Sequence, residues 1–273
     1  MNKLLSGCLF TRDRKKFDNL REKANSFNIN FNGRNIIQDD IFRIMINYAK
    51  IKEMPLELLR FPISDKEMCA CTFVRRGRIF VLINTRMPLS KQIFAAAHEL
   101  YHVFCYLDDD AQELILKGSI LKSETIEESS NEIEELLANA FAGLLLVPAD
   151  ILNEQIGIYK IQTKKMSMTD VLMLMEIFAV PYKAIILRLY EDGLISESQA
   201  EKMIEIPTEE LQKNMKITGL AKRYETSTEE ICQFGSLETN MLINETHENV
   251  MGSRLESDKF RIQEIKESLM RQE

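Results

Sequence analysis

The feature that most constrains this chain is the stretch AAAHELYHVFCYL at residues 95–107. It places His98 and His102 four residues apart, with Glu99 directly after the first histidine. At 3.6 residues per turn, both imidazoles lie on one helical face and can hold a single ion between them. Glu99 lies about 100° round the helix, where its carboxylate can reach a water beside that ion. The stretch therefore predicts a metal-binding helix.

The composition around this motif supports a metal over a chance match. Nearly all of the flanking residues are apolar or small, so the helix is expected to be buried nearly all round. Burying two histidines and a glutamate without partners costs several kcal/mol, and a bound metal removes that cost. The alternative, two core histidines satisfied by ordinary hydrogen bonds, stays open at this point.

The segment ahead of the helix carries the clearest β pattern in the chain. Two β-rich runs, MCACTFV and IFVLIN, flank the glycine-containing stretch Arg75-Arg76-Gly77-Arg78, which predicts a hairpin. The second run ends at Asn84 and leads into the metal helix. This strand–loop–helix order predicts an edge strand beside the helix, on which an extended peptide can be aligned by backbone hydrogen bonds.

A catalytic zinc site needs a third protein ligand and one open position. The remaining histidine, His247, lies far along the chain in a polar region, so a carboxylate is expected. In NEIEELLANAFAGLLLVP, Glu135 is the last acid before the apolar run and shares a helical face with Asn139. Asn139 can then orient a ligand histidine through a hydrogen bond. Glu132 and Glu134 remain alternatives, although Glu134 lies about 100° off that face.

Composition excludes several other classes of protein. The net charge of −7 argues against a nucleic-acid-binding surface. No apolar run reaches the length of a membrane span, and no cleavage site follows the short apolar N-terminus, so the protein is expected to be cytoplasmic. The five cysteines form an odd set that favours reduced thiols in an intracellular protein. Cys69 and Cys71 could pair on a metal, but buried small residues are the favoured interpretation.

The pattern of elements predicts an α+β fold, with a small twisted sheet beside a helical core and a helical C-terminal region. Ser167-x-x-Asp170 and Ser196-x-x-Gln199 predict capped helix starts after Pro148. The helices of residues 167–204 also have helix-turn-helix proportions, but their acids balance their bases, which argues against direct DNA binding. The predicted segments are an N-terminal helical segment 1–60, a core 61–150, a helical subdomain 151–205 packed on the core, and a polar, helical, partly flexible tail 206–273.

Three segments of the chain, in this order, resemble the ImmA/IrrE family of zinc metallo-endopeptidases. They are INTRMPLSKQIFAAAHELYHVF, EELLANAFAGLLLVP and MTDVLMLMEIFAVPYKAIILRLYEDGLIS, and the similarity covers roughly residues 65–200. The resemblance implies a zincin-like metallopeptidase core that binds Zn²⁺. The family's third ligand is a glutamate three residues before an AN-x-FA segment, and this position is Glu135 here. The implied metal ligands are therefore His98, His102 and Glu135, with Glu99 as the catalytic residue.

The resemblance also implies a reaction and a class of substrate. Glu99 would take a proton from the water that attacks a peptide carbonyl and pass it to the leaving amine. Understood members of the family cleave, or relieve repression by, a helix-turn-helix repressor of a phage or mobile element. Tyr101, Tyr106 and His247 are candidates for stabilising the oxyanion, and none is favoured. A zinc-containing sensor that acts by protein or DNA contact without turnover stays open as the alternative.

Overall fold

The computed structural model describes most of the chain and builds it from helices around one small sheet. The described residues are 2–33, 35–105, 119–122, 132–220, 223–224, 227–228, 231–247 and 251–271. Within them, helices dominate and one mixed sheet of five strands is present. The predicted α+β class, with a sheet beside a helical core, is therefore confirmed.

The sheet combines strands from widely separated parts of the chain. Its strands are β1 (Leu56–Phe61), β2 (Met68–Arg75), β3 (Arg78–Asn84), β4 (Ser119–Lys122) and β5 (Gln233–Phe234). Their order across the sheet is β4-β2-β3-β1-β5. β1 runs parallel to β3, and the other neighbouring pairs are antiparallel. Strands β2 and β3 are therefore interior to the sheet.

The predicted hairpin is present, with a tighter turn than the sequence indicated. Arg75 of β2 pairs with Arg78 of β3, so only Arg76 and Gly77 form the turn. Both have positive φ, 51° and 72°, as a type I′ turn requires. The prediction that the strand before the metal helix is an edge strand is wrong, because β1 pairs with the other side of β3. The outer strand of the described sheet next to β2 is β4.

More than one of the chain segments predicted from the sequence contributes residues to this sheet. The predicted boundary between residues 60 and 61 falls inside β1, and the predicted tail 206–273 contributes β5. β1 was not predicted because Leu56–Phe61 has no clear alternation of apolar and polar residues. β5 is only two residues long, and its pairing with β1 leaves no periodic pattern in the sequence.

Four N-terminal helices cover one side of the core. They are α1 (Lys3–Gly7), α2 (Leu9–Arg12), α3 (Arg14–Asn32) and α4 (Ile41–Ile51), with a short 3-10 turn before α4. In the sequence, apolar residues recur at helical spacing in both longer helices, and these residues are buried: Phe17, Leu20, Ala24 and Phe27 on α3, and Ile41, Phe42, Met45, Tyr48 and Ala49 on α4. The basic residues of α3 lie on its exposed side, as expected for an amphipathic helix.

Two helices cross at the centre of the molecule. α5 (Leu89–Cys105) carries the histidine motif, and α6 (Ile133–Leu146) packs directly against it. Every residue of α5 from Ile93 to Val103 is buried, which confirms the expected burial all round. The sequence predicts that this helix ends at the acidic run Asp108-Asp109-Asp110, which lies outside the described residues. α7 (Ala149–Ile158) follows α6 after Pro148.

The remaining helices extend from this centre to the C-terminus. They are α8 (Met168–Phe178), α9 (Tyr182–Glu191), α10 (Glu197–Ile204), α11 (Thr208–Thr218), α12 (Leu237–Thr246) and α13 (Gly252–Met270). Both predicted capping boxes are formed, at the starts of α8 and α10. The apolar side chains of α9 are buried against the core, including Ile185, Ile186 and Leu189.

The described helices were compared with the length and apolarity that a bilayer span requires. No single helix among them meets both requirements. α6 and α7 meet them only when taken together, as a pair bent by 43°.

Candidate metal centre

The centre lies where α5 and α6 cross, and small side chains let the two helices approach closely. Ala95, Ala96 and Ala97 of α5 and Ala138 and Ala142 of α6 have no exposed surface. Side chains of this size keep the two backbones close, so that residues on facing helices can share one ion.

Two imidazole nitrogens and the two carboxylate oxygens of Glu135 converge at this crossing. His98 Nε2 lies 3.3 Å from His102 Nε2 and 3.2 Å from Glu135 Oε2. His102 Nε2 lies 3.7 Å from Glu135 Oε1. The candidate ligand atoms of all three residues lie within 4.8 Å of one another. The structure thus brings together the three residues expected to bind the metal.

The two alternative carboxylates are directed elsewhere. Glu132 is exposed and precedes the first turn of α6. Glu134 is half-buried, and burial raises the pKa of its carboxyl group while the charge of Lys16 opposes the rise. Neither belongs to the cluster of ligand atoms, whereas the Glu135 side chain is only 15% exposed and faces both histidines.

Asn139 lies one turn after Glu135 and contacts the first histidine. Its Oδ1 is 2.9 Å from His98 Nδ1. If Nδ1 carries the proton and donates it to this oxygen, the lone pair of Nε2 is directed towards His102 and Glu135. This is the tautomer that a metal-binding histidine needs, and Asn139 fixes it.

Glu99 is fully buried, and its two carboxylate oxygens have different surroundings. Thr72 of β2 donates a hydrogen bond from Oγ1 to Glu99 Oε2, at 2.6 Å. Glu99 Oε1 is also buried, and it has no hydrogen-bond partner in the described part of the chain. Burial raises the pKa of Glu99 to about 7, against the lowering effect of His98 and of the Thr72 hydroxyl. A carboxylate with such a pKa suits a general base at neutral pH.

The charges in the centre favour a cation among these residues. Burial, followed by the effect of His98, lowers the pKa of His102 to about 3, so this imidazole is neutral and can bind a metal. Burial also lowers the pKa of His98, but the hydrogen bond to Glu135 and the charges of Glu99 and Glu135 outweigh it and raise the pKa overall. The carboxylates of Glu99 and Glu135 therefore favour positive charge at this crossing.

The residues fit a zinc ion by their chemistry and their placement. Two imidazole nitrogens and one carboxylate are the donor set of many catalytic zinc sites, which keep a fourth position open. The unpartnered Glu99 Oε1 is a buried polar atom beside this donor set, as expected for a group that contacts a ligand. Bringing these donors together in the interior would be costly without a cation to balance them.

The other residues considered as site residues in the sequence do not belong to the group of three metal donors. Tyr101 is buried, with its ring 5.7 Å from the ring of His102, and packs on Phe141. His247 is exposed at the end of α12, and Tyr106 lies outside the described residues. Cys71 is buried, and burial, with the charge of Glu99, raises the pKa of its thiol to about 12. Neither Cys71 nor Cys69 belongs to the group of candidate metal ligands found among the described residues, which agrees with the interpretation of both as buried packing residues.

Thr72 was missed from the sequence, although one signal was available. It is the only hydroxyl-bearing residue in the run MCACTFV, whose other members are apolar or sulfur-containing. A buried hydroxyl in an apolar strand needs a partner, and here that partner is the carboxylate of Glu99.

Comparison with known proteins gives one finding about family. The model of a peptidase family, described as the IrrE N-terminal-like domain, matches residues 39–190, which is more than half of the 273 residues. Thr72, the histidine motif, Glu135 and Asn139 all lie inside the matched range. A comparison with curated proteins found no match.

Proposed function

Because the chain belongs to the peptidase family of the IrrE N-terminal-like domain, we propose that it is a zinc-dependent endopeptidase. This membership agrees with the resemblance seen in the sequence. The observation that carries the proposal is the convergence of His98, His102 and Glu135 beside the buried carboxylate of Glu99.

Each residue of the centre has a role in the proposed reaction. His98, His102 and Glu135 would hold the zinc ion, and Asn139 orients His98. When bound, zinc supplies Lewis acidity, which acidifies a water molecule and polarises a peptide carbonyl. Glu99 accepts the proton of the attacking water at its unpartnered Oε1 and returns it to the leaving amine. The elements around the centre exclude bulk water from this proton transfer, since both Glu99 and His98 have no exposed surface.

Strand β4 is the proposed guide for the substrate backbone. In the described sheet β4 is an outer strand, and its neighbour is β2. Strand β2 carries Thr72, which donates a hydrogen bond to Glu99. In β4, Leu121 is buried while Ile120 is 61% exposed, as expected for a strand with one face packed on the core. An extended peptide can add to such an edge through backbone hydrogen bonds, which would hold the scissile bond in a fixed register.

The proposed physiological substrate is a helix-turn-helix repressor of a phage or mobile element, so the protein would act in transcription regulation. A cytoplasmic location belongs to the same proposal. All five cysteines lie in the described residues and are free, which suits a reducing compartment. Direct binding to nucleic acid is not part of the proposal, because the chain carries a net charge of −7.

The competing function is a zinc-containing sensor that acts by contact without turnover. It would keep the same metal ligands but would not need Glu99 as a base. The buried, unpartnered Oε1 of Glu99 favours the enzyme, because a sensor gains nothing from leaving this atom without a partner.

Two substitutions separate these functions. Zinc-loaded protein is incubated with peptides prepared from a bacterial proteome and, separately, with a helix-turn-helix repressor where one is encoded beside this gene, and cleavage is read by mass spectrometry. Glu99→Gln should retain stoichiometric zinc and lose about 10²- to 10⁴-fold in rate, since general-base catalysis typically contributes that much. Glu135→Gln should lose zinc, whereas the neighbouring Glu134→Gln should bind zinc and cleave normally.

Two outcomes would contradict the enzyme. If the wild-type protein cleaved neither the peptides nor the repressor, or if Glu99→Gln cleaved as fast as wild type, the endopeptidase proposal would fail. Relief of repression that survived Glu99→Gln would support the sensor.

A further inference from the structure

We propose that Thr72 is a positioning residue, whose hydroxyl holds the Glu99 carboxylate so that one oxygen faces the attacking water. The inference rests on the proposed role of Glu99 as the catalytic base. Thr72 Oγ1 lies 2.6 Å from Glu99 Oε2, a distance typical of a hydroxyl that donates to a carboxylate. Both residues are buried, so water does not compete for this bond.

Thr72 is held on a rigid element. It lies in the interior strand β2, where Val81 of β3 is its partner on one side and Ser119 of β4 on the other. Backbone pairing on both sides fixes its Cα position, and a β-branched side chain has few χ1 rotamers. The direction of the hydroxyl is therefore set by the sheet before any substrate binds.

The hydrogen bond makes the two oxygens of Glu99 unequal. Oε2 is occupied by Thr72, whereas Oε1 is buried without a partner among the described residues. A buried oxygen without a partner costs stability, and such atoms persist where a ligand or substrate supplies the missing donor. Thr72 thus prevents the carboxylate from rotating and keeps Oε1 directed at the position where a water would be deprotonated.

This role is separate from metal binding. The zinc ligand His98 is oriented by Asn139, which belongs to α6, whereas Thr72 acts from the sheet on Glu99. Removing the Thr72 hydroxyl should therefore impair the base without removing the metal. A merely structural role would instead lower stability or zinc content together with activity.

The test compares Thr72→Val, which keeps the shape and removes the donor, with Thr72→Ser, which keeps the donor. With the best-cleaved peptide from the proteome-derived set, Thr72→Val should lower kcat about 10- to 100-fold, because misplacing a reacting group typically costs that much. KM and zinc content should stay at the wild-type values, and Thr72→Ser should restore most of kcat. Were Thr72→Val to fold poorly, Thr72→Ala would repeat the comparison.

Two further variants make the result specific. Thr85 is also a buried threonine, and its hydroxyl donates to the carbonyl of Ile231 away from Glu99. Thr85→Val therefore controls for the loss of a buried hydroxyl and should keep the wild-type kcat. If Thr72 acts only through Glu99, adding Thr72→Val to Glu99→Gln should lower the residual rate no further.

A crystal structure of zinc-loaded Thr72→Val gives a readout that does not depend on activity. The Glu99 carboxylate should be rotated or present in two orientations.

Three results would overturn the inference. They are an unchanged carboxylate in the crystal structure of Thr72→Val, a wild-type kcat in Thr72→Val, and a failure of Thr72→Ser to restore kcat. If Glu99→Gln were fully active, the proposed function itself would fail. If Glu99→Gln were inactive and Thr72→Val normal, only the role of Thr72 would fail.

Discussion

Asn139 and Thr72 each use one polar atom to orient a residue of the candidate metal centre. Asn139 contacts the Nδ1 of His98 from α6, and Thr72 contacts the Oε2 of Glu99 from β2. The orienting atoms therefore come from two different elements, a helix and a strand, that both pack against α5. Each can be removed by a single substitution that leaves the zinc ligands and the base in place.

Asn139 should increase the affinity of the metal centre for zinc. Asn139→Leu removes the acceptor for His98 Nδ1–H, so the imidazole loses its fixed tautomer and orientation. We expect zinc affinity to fall about 10- to 100-fold, the usual effect of removing such a partner. Asn139→Asp keeps an acceptor and should bind zinc at least as tightly as the wild type. Competition with a zinc-binding dye measures both affinities, and an unchanged affinity in Asn139→Leu would rule out the orienting role.

The residues of the histidine motif could be predicted from the sequence. Thr72, the hydrogen-bond partner of Glu99 in that motif, could not. His98, Glu99 and His102 follow from spacing within one helix, which sequence shows directly. The pairing of Glu135 with both histidines depends on how two helices cross, which the sequence does not show. The sequence showed only that Glu135 is the acid nearest to the apolar run of α6. Thr72 depends on the register of β2 over α5, and no local pattern encodes that register.

At the scale of elements, Arg188 joins the helical region after Pro148 to the helix that carries Glu135. It is 1% exposed, and its Nε donates to the carbonyl of Val147 at the end of α6. Its other two nitrogens donate to Glu191 and Asp192, each at 2.6 Å. Gly143 provides the space, since a Cβ there would lie 3.2 Å from Arg188 Cδ.

Breaking this buried ion pair should destabilise the whole protein. Arg188→Met leaves Glu191 buried without its partner, so the free energy of unfolding should fall by about 3–5 kcal/mol. Adding Glu191→Leu removes the uncompensated charge and should recover part of that loss. Urea denaturation of each variant provides the measurement.

The matched control is an exposed pair of similar spacing. Arg254 pairs with Asp258 on α13, and both side chains are well exposed. Arg254→Met should leave the free energy of unfolding nearly unchanged, because solvent screens such pairs. Equal losses in Arg188→Met and Arg254→Met would contradict the structural role of Arg188.

The helices were easier to predict than the strands for a physical reason. The capping boxes at Ser167 and Ser196 are local hydrogen bonds, and the buried faces of α3 and α4 repeat every three to four residues. Strands β1, β4 and β5 are defined by partners that are far away in the sequence. Their short runs lack the alternation that marks a half-buried strand.

At the scale of the whole molecule, the C-terminal part of the chain returns to the edge of the sheet opposite β4. Gln92, in the first turns of α5, donates to Thr228 Oγ1 at 2.8 Å. β5 then pairs with β1, and the backbone N–H and hydroxyl of Ser236 donate to the carboxylate of Glu57. Residues outside the family match thus hold both the sheet edge and the start of the active-site helix.

Gly235 tests this attachment. It has a φ of 61°, and a Cβ there would collide with the Glu57 carboxylate that binds Ser236. Gly235→Ala should lose about 1–2 kcal/mol for the left-handed backbone. It should lose about 1–3 kcal/mol more as the bonds to Glu57 break. Thermal or urea unfolding measures the total, and limited proteolysis should release the C-terminal segment sooner.

Gly219 is the matched position, because its φ is 79° and a Cβ there would meet nothing within 4 Å. Gly219→Ala should show the backbone cost alone. If both alanine variants lost the same stability, the contact between the C-terminal segment and Glu57 would contribute nothing measurable.

The burial of α5 on every side determines how this protein can be altered. A helix enclosed from Ile93 to Val103 has no free surface on which new side chains could be accommodated. Libraries that randomise it would mostly yield misfolded products, whatever their effect on peptide hydrolysis. Selectivity should be engineered instead through strand β4 and its exposed Ile120, where new side chains meet solvent.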